Sequence, residues 1–420
     1  MTSAPRATNP NDVTPADAGG VTEAFDVYRR GAQTELRGRI TGTVEYAHAD
    51  ASAAIQRALD LAGRQGGGAV LLQPGVYLLH RPLRLRSRVT LHGSGRSTVL
   101  RLAPDHETGI AVIGETIDGA TVADLTLDGD RERCATSQAG VVLDECGDCR
   151  LRNVAAARFG RYGIWVRHDT FLSTVEGCVA ADNAVSGILM DAQTRGRGGD
   201  WTPNHVIGCT VYGGGTGIET SNAVVLNLVG CTVYHPGKHA YHLHTRSNSV
   251  LISGCRSFEC WGNAVLVEES HEVNLSSNIF CWHHGHGIEL VNVQWGAIAG
   301  NNVIDTGAQS EEDATPAYGI LLRGGTRGLQ VTGNAIFNWG GKHPARLMAA
   351  GIHETADCAM NALAANNVNY AVAAVESAGD GTLVTDIVHR EGAYRNGAPT
   401  FSMERLQGFL ATLYEMPAGR

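Results

Sequence analysis

Eight of the 17 histidines in this 420-residue chain fall between residues 235 and 286: His235, His239, His242, His244, His271, His283, His284 and His286. Glu219, Glu259, Glu268 and Glu289 are interleaved with them or flank them. An imidazole beside a carboxylate can take or give a proton near neutral pH. Such a set suits β-elimination, epimerisation next to a carboxylate, or dehydration. In that chemistry His242 and His244 are the acid and base, and Glu219, Glu268 and Glu289 orient them or share the proton. Metal binding by His239, His242 and His244 is the other use of such residues. Acid–base work is favoured because His242 and His244 fall side by side on a strand with carboxylates near them. The expected chemistry is metal-independent and needs no cofactor.

These residues become a site only if something brings them together, and an internal repeat does so. A phrase of the form x-Gly-Ile/Val-x-Leu/Val begins at Ala139, Tyr162, Ser186, Thr216, His239, Asn263, His286, Tyr318 and Ala350. The common spacing is about 23 residues, one coil of a β-solenoid, with longer intervals where single loops are inserted. Asn153, Cys178, Cys209, Cys231, Cys255, Asn278, Asn301, Asn334 and Asn366 follow the same period and are read as a stacked turn column. The cysteines of that column are read as packing residues, since Asn replaces them without loss of register. Cys146 and Cys149 form a CxxC with no second pair, which argues against zinc.

Side chains alternate along a strand, so with Ile/Val and the second aliphatic pointing in, the residues between and after them point out. The first outward column is Val142, Trp165, Leu189, Glu219, His242, Leu266, Glu289, Leu321 and His353; the second contains Asp144, Arg167, Asp191, Ser221, His244, Glu268, Val291 and Arg323. Coils stack about 4.8 Å apart, so the five catalytic candidates fall within one patch. Tyr162, Trp165, Arg167 and Asp191 flank it on one side, Arg323 and His353 on the other. Tyr234, His239, Trp261, Trp282 and His286 enter from the adjoining turns as substrate-binding candidates. Arg167, Arg323 or Lys238 would hold a substrate carboxylate. Insertions at 193–204, 306–317 and 339–349 are expected to wall the groove.

Composition narrows the partners. The net charge of −9 and pI near 6 give no reason to expect nucleic acid or a membrane surface, and no apolar run is long enough to span a bilayer. A small-molecule or oligosaccharide substrate is expected. The first 20 residues lack the apolar core of a secretory signal, and ten cysteines without one read as reduced thiols, so the expected setting is cytoplasmic. The organisation expected is an extended arm over 1–45, a capping helix within 46–68, coils over 69–378, and a C-terminal cap over 379–420. The last carries one amphipathic helix from Ser402 as the second cap or a homo-oligomer contact.

The stretch DASAAIQRALDLAGRQGGGAVLLQPGVYLLHRPLRLRSRVTLHGSGRSTVLRL from Asp50 and the phrase TVADLTLDGD from Thr121 resemble the opening of pectate-lyase-superfamily proteins. The resemblance implies an all-β, single-stranded right-handed parallel β-helix. YGIWVRH from Tyr162 is similar to the Tyr-Gly-Phe-Asp-Pro-His strand of mannuronan C5-epimerases, and CVAADNAVSGILMD is similar to their next coil, ending at Asp191. Tyr162 and Asp191 carry over, whereas Trp165 and Arg167 stand in place of that motif's Asp and His. The reading is an enzyme of the lyase or epimerase type acting on a uronate-type saccharide. A biosynthetic dehydratase or cyclase for a polyketide- or peptide-like intermediate, and a glycosidase or glycosyl-transferring enzyme with a Glu pair, stand as alternatives.

Overall fold

The computed structural model describes residues 24–191, 203–307, 316–338 and 348–390. Among them the strands form three sheets of 16, 13 and 12 strands, each adding one strand per coil along a common axis. Every pairing in the 13- and 12-stranded sheets is parallel. A chain that visits three sheets in turn and returns one strand further on is a parallel β-helix, and the usual hand of parallel crossovers is right.

Short strands with alternating burial generate this path. In Thr216–Ser221 and Tyr241–His244, Ile218, Thr220, Tyr241 and Leu243 are fully buried while Glu219, Ser221, His242 and His244 face out. Inward Ile, Val and Leu stack on their equivalents in the next coil, so the core is a column of like side chains running from Val70 to Val368.

The turn between the 16- and 13-stranded sheets is short and repeats a left-handed residue followed by a buried one. Gly177, Gly208, Gly230, Gly254, Gly300 and Gly333 have φ of +59 to +66 there, a region glycine enters without penalty. Cys178, Cys209, Cys231, Cys255, Asn278, Asn301, Asn334 and Asn366 follow as a buried ladder. Asn301 Nδ2 donates to Leu275 O (3.0 Å) and Asn334 Oδ1 (2.9 Å), and Asn301 Oδ1 accepts from Asn278 N (3.1 Å). Within the cysteine part, Cys231 N donates to Cys255 Sγ at 3.3 Å. Asn153 does not belong to this ladder: it is exposed, holds the left-handed position (φ 53), and the buried place is taken by Val154.

Both ends differ from expectation. Residues 25–45, read as part of an extended arm, belong instead to three strands, the last of which runs on to His48. Phe25–Arg30 and Gln33–Gly38 make an antiparallel hairpin, Val44–His48 pairs with the second strand, and Phe25–Val27 joins Val70–Leu72 of the first coil. Phe25, Val27 and Leu36 are buried, which is why the segment folds onto the coil. The helix runs over Ala51–Arg64, with Asp50 accepting from Ser52 N at 2.8 Å. Ala54, Ile55, Ala58 and Leu59 face the core, while Leu61 is half-buried at its edge. Parallel pairing continues past 378 to Val388–Arg390. The helix expected from Ser402 lies outside the described residues, as do most of the three insertions. No helix among the described residues is long and apolar enough to cross a membrane.

Candidate active site

The 12-stranded sheet carries the outward columns in the expected register. Its pairings run Val142, Trp165, Leu189, Glu219, His242, Leu266, Glu289, Leu321 and His353 as direct neighbours on consecutive strands. Beside them Asp144, Arg167, Asp191, Ser221 and His244 form the second column, continued by Glu268, Val291 and Arg323.

At the centre are two parallel diagonal pairs. His244 Nε2 meets Glu219 Oε1 at 3.0 Å, and His242 Nε2 meets Glu268 Oε2 at 2.8 Å. The two imidazoles are 4.6 Å apart, and the His239 ring is 5.3 Å from that of His242. Ser186 Oγ donates to the other oxygen of Glu219, and Thr245 Oγ1 lies 2.7 Å from His244 Nδ1. Burial alone would raise the Glu219 carboxyl, but its bonds to His244 and Ser186 outweigh that and hold it below the usual range. Burial lowers His242, with the Glu268 bond acting against it, and burial beside His242 pushes His239 down to about 4. His239 and His242 are therefore biased toward neutral imidazoles, next to the Glu219 and Glu268 carboxyls.

The flanking candidates fall into groups. On one side Asp144 is the hub: its carboxylate takes both Nε (2.9 Å) and a terminal nitrogen (2.6 Å) of Arg167 and is hydrogen-bonded to His168 Nδ1. Arg167 lies 4.4 Å from the Trp165 ring, which is 4.9 Å from Tyr162. Burial raises the Asp191 carboxyl above its ordinary value, opposed by His168 and Ser221, and its buried Oδ1 has no hydrogen-bond partner among the described residues. On the other side Glu289 is buried between Arg323, whose Nε is 2.6 Å away, and the Asn263 amide. His286, Tyr318 and His353 stack in sequence at 5.4 and 4.4 Å, and His353 Nδ1 meets Glu376 at 2.8 Å.

Two candidates are corrected. Tyr234 and Trp282 belong to strands of the 13-stranded sheet, where Tyr234 stacks on Phe258 at 5.2 Å and Trp282 Nε1 donates to Asp305 at 3.0 Å. Both were expected in turns of the groove, but their strands belong to a different sheet from the one that carries His242 and His244. Trp261 is 65% exposed and stacks on His284 at 4.5 Å. Leu189, Leu266 and Leu321, outward by parity, are nonetheless buried, so they are no open apolar floor. Arg167 and His244 sit three strands apart through Asp191 and Ser221, about 14 Å at the usual strand spacing. His168 was missed because it follows its strand in a left-handed conformation (φ 52), outside both columns; the acidic Asp144 one coil earlier was the available signal. Ser186 and Tyr318, each opening a repeat, were likewise passed over.

Comparison with known proteins agrees with this fold. Residues 197–368 match the family described as "Right handed beta helix region". Over 167 residues the chain is 32% identical to mannuronan C5-epimerase AlgE5 of Azotobacter vinelandii, a match spanning 35% of this chain and 17% of that protein. AlgE4 of the same organism is 30% identical over 162 residues, 34% of this chain and 29% of that one. These alignments thus cover less than a third of the relatives' own length. The structure superposes on the A-module of AlgE6 from the same organism with a TM-score of 0.70 at 21% identity, covering 83% of this chain and 96% of the module. On the Dettilon tailspike protein it reaches 0.56 at 13% identity, covering 79% and 64%. The chain folds as a right-handed parallel β-helix.

Proposed function

We propose that the protein is a carbohydrate-active enzyme that removes and returns, or removes and eliminates from, a proton next to the carboxylate of a uronate-type saccharide. The observation that carries this reading is the pair of parallel His–Glu diads, His242–Glu268 and His244–Glu219, fixed on adjoining strands of the groove sheet. Similarity to mannuronan C5-epimerases supports the substrate class. His242, with its lowered pKa, is the base that takes the proton from the carbon next to the carboxylate. His244, tied to Glu219, is the acid. For elimination it protonates the departing glycosidic oxygen; for epimerisation the proton reaches the opposite face of that carbon from solvent, because both rings stand on one wall 4.6 Å apart. Lys238, whose charge acts on His239, holds the substrate carboxylate. Arg323 and the His286–Tyr318–His353 stack line the groove further along, for neighbouring sugar units.

The test is incubation of the purified full chain with oligomannuronate and other oligouronides in D2O. Deuterium incorporation beside the carboxylate marks epimerisation, and unsaturated ultraviolet-absorbing ends mark elimination. His242→Ala/His244→Ala should abolish either signal while the far-ultraviolet circular dichroism stays that of the parent. Full activity in that variant would remove the assignment, and silence of the parent on every uronate would remove the substrate class.

A further inference from the structure

We infer that Glu219, His242 and His244 form a binding site for one divalent transition-metal ion of the zinc class, and that occupancy of this site switches off the acid–base reaction proposed above. The first part rests on geometry alone; the second rests on that functional reading. One ligand atom from each of the three side chains lies within 4.8 Å of the others, and all three are half-buried. A zinc ion sits about 2.0–2.1 Å from its ligands, so tetrahedral ligand atoms are about 3.4 Å apart. Small side-chain rotations bring these three to that spacing, without movement of the strands that carry them.

The surroundings match those of a metal site. Metal-bound histidines usually spend their second ring nitrogen on a carboxylate, carbonyl or other partner that fixes the ring. His242 has Nε2 on Glu268 and so offers Nδ1, while His244 has Nδ1 on Thr245 and offers Nε2, the nitrogen already facing Glu219. Ser186 fixes the second oxygen of Glu219. Each of the three ligands is therefore held by a separate partner outside the set. Two imidazoles and one carboxylate select a borderline ion such as zinc over calcium or magnesium, which take oxygen ligands. The arginines do not supply a competing positive charge, since Arg167 is committed to Asp144 and Arg323 to Glu289. Three protein ligands leave a fourth position for water or a substrate oxygen.

The step is a proton-coupled ligand exchange: the ion takes the lone pairs of His242 Nδ1 and His244 Nε2, and the proton on the latter leaves to solvent. Neither ring can then act as base or acid. The experiment titrates chelator-stripped full-length protein with ZnCl2 by calorimetry, and with CaCl2 in parallel. Saturable binding of one zinc per chain is expected, weakened at least tenfold in Glu219→Gln and lost in His242→Ala/His244→Ala, with His353→Ala unchanged and circular dichroism confirming each fold. Absence of saturable zinc binding, equal affinity in the double variant, or tighter calcium than zinc would overturn the site and leave the functional reading untouched. The activity arm separates the two claims. Zinc inhibition reversed by chelator supports both. Stoichiometric binding that leaves turnover unchanged or raises it would keep the site, overturn the switch, and remove the acid–base assignment.

Discussion

Replacing one rung of the buried ladder tests whether hydrogen bonds at the short turn hold the coils in register. Asn301 is fully buried, and its side chain makes four bonds: Oδ1 accepts from Asn278 N and Asn278 Nδ2, and Nδ2 donates to Leu275 O and Asn334 Oδ1. Asn301→Leu keeps the volume and removes all four. Asn278 Nδ2 retains Ile252 O, and Asn334 Oδ1 retains Asn301 N, so neither is orphaned. The Asn278 backbone N–H loses its acceptor inside a dry turn, at about 1–3 kcal/mol, and the other lost bonds add about 1 kcal/mol each. The expected cost is about 4–6 kcal/mol. Asn301→Cys is the discriminating control, because Cys255 Sγ already accepts from a ladder N–H. It should recover the Asn278 contact and cost about 2 kcal/mol less than the leucine. Urea unfolding followed by circular dichroism gives the order, and hydrogen exchange at the Asn278 amide reads the orphaned group directly. Leucine and cysteine variants of equal stability, or a leucine variant with Asn278 still protected, would refute the account.

Three further outcomes follow from the same structure. Asp144→Asn removes the charge that anchors both Arg167 and His168 and should lower stability by about 2 kcal/mol by thermal unfolding, a partly exposed counterpart of breaking a buried pair. His283 is fully buried beside Cys260 and Ser257, and burial depresses it to about 3. The unfolded chain binds a proton there below about pH 6.5 while the folded one does not, so stability should fall from pH 6.5 toward 4; His283→Leu should flatten that part of the urea-midpoint profile. Glu268→Gln removes a partner that raises His242, so the acid limb of kcat/KM should move to lower pH.

The columns on the groove sheet were legible because each coil repeats the same inward aliphatics, and alternation then dictates what faces out. His242, Glu219 and Glu289 needed nothing more than register. Asn153 was misplaced because asparagine suits two adjacent positions of this turn: the left-handed site, which it tolerates better than most residues, and the buried rung after it. The hairpin over 25–38 was hidden by its charged residues, although Phe25, Val27 and Leu36 alternate as a half-buried strand should. Turn residues carry no such period, which is why Tyr234 and Trp282 were placed on the wrong face and His168 was passed over.

The site inherits its precision from residues that never touch a substrate. His242 and His244 stand on a four-residue strand whose inward members are Tyr241 and Leu243. The Tyr241 hydroxyl reaches across the core to the carbonyl of the ladder residue Cys231 (3.0 Å) and to that of Arg256 (2.9 Å), which follows the next ladder residue, Cys255. A strand this short, pinned from inside at its first residue and paired on both edges, cannot slip by one position without burying its histidines and exposing its tyrosine. Each diad joins residues of neighbouring strands, two positions out of direct register. A slip by one would therefore break both bonds at once. The spacing between the imidazoles is set by the strand, and the spacing between diads by the coil repeat. Chemistry that needs two proton-handling groups at a fixed separation can be placed on such a wall by changing outward residues alone, with the inward set left untouched.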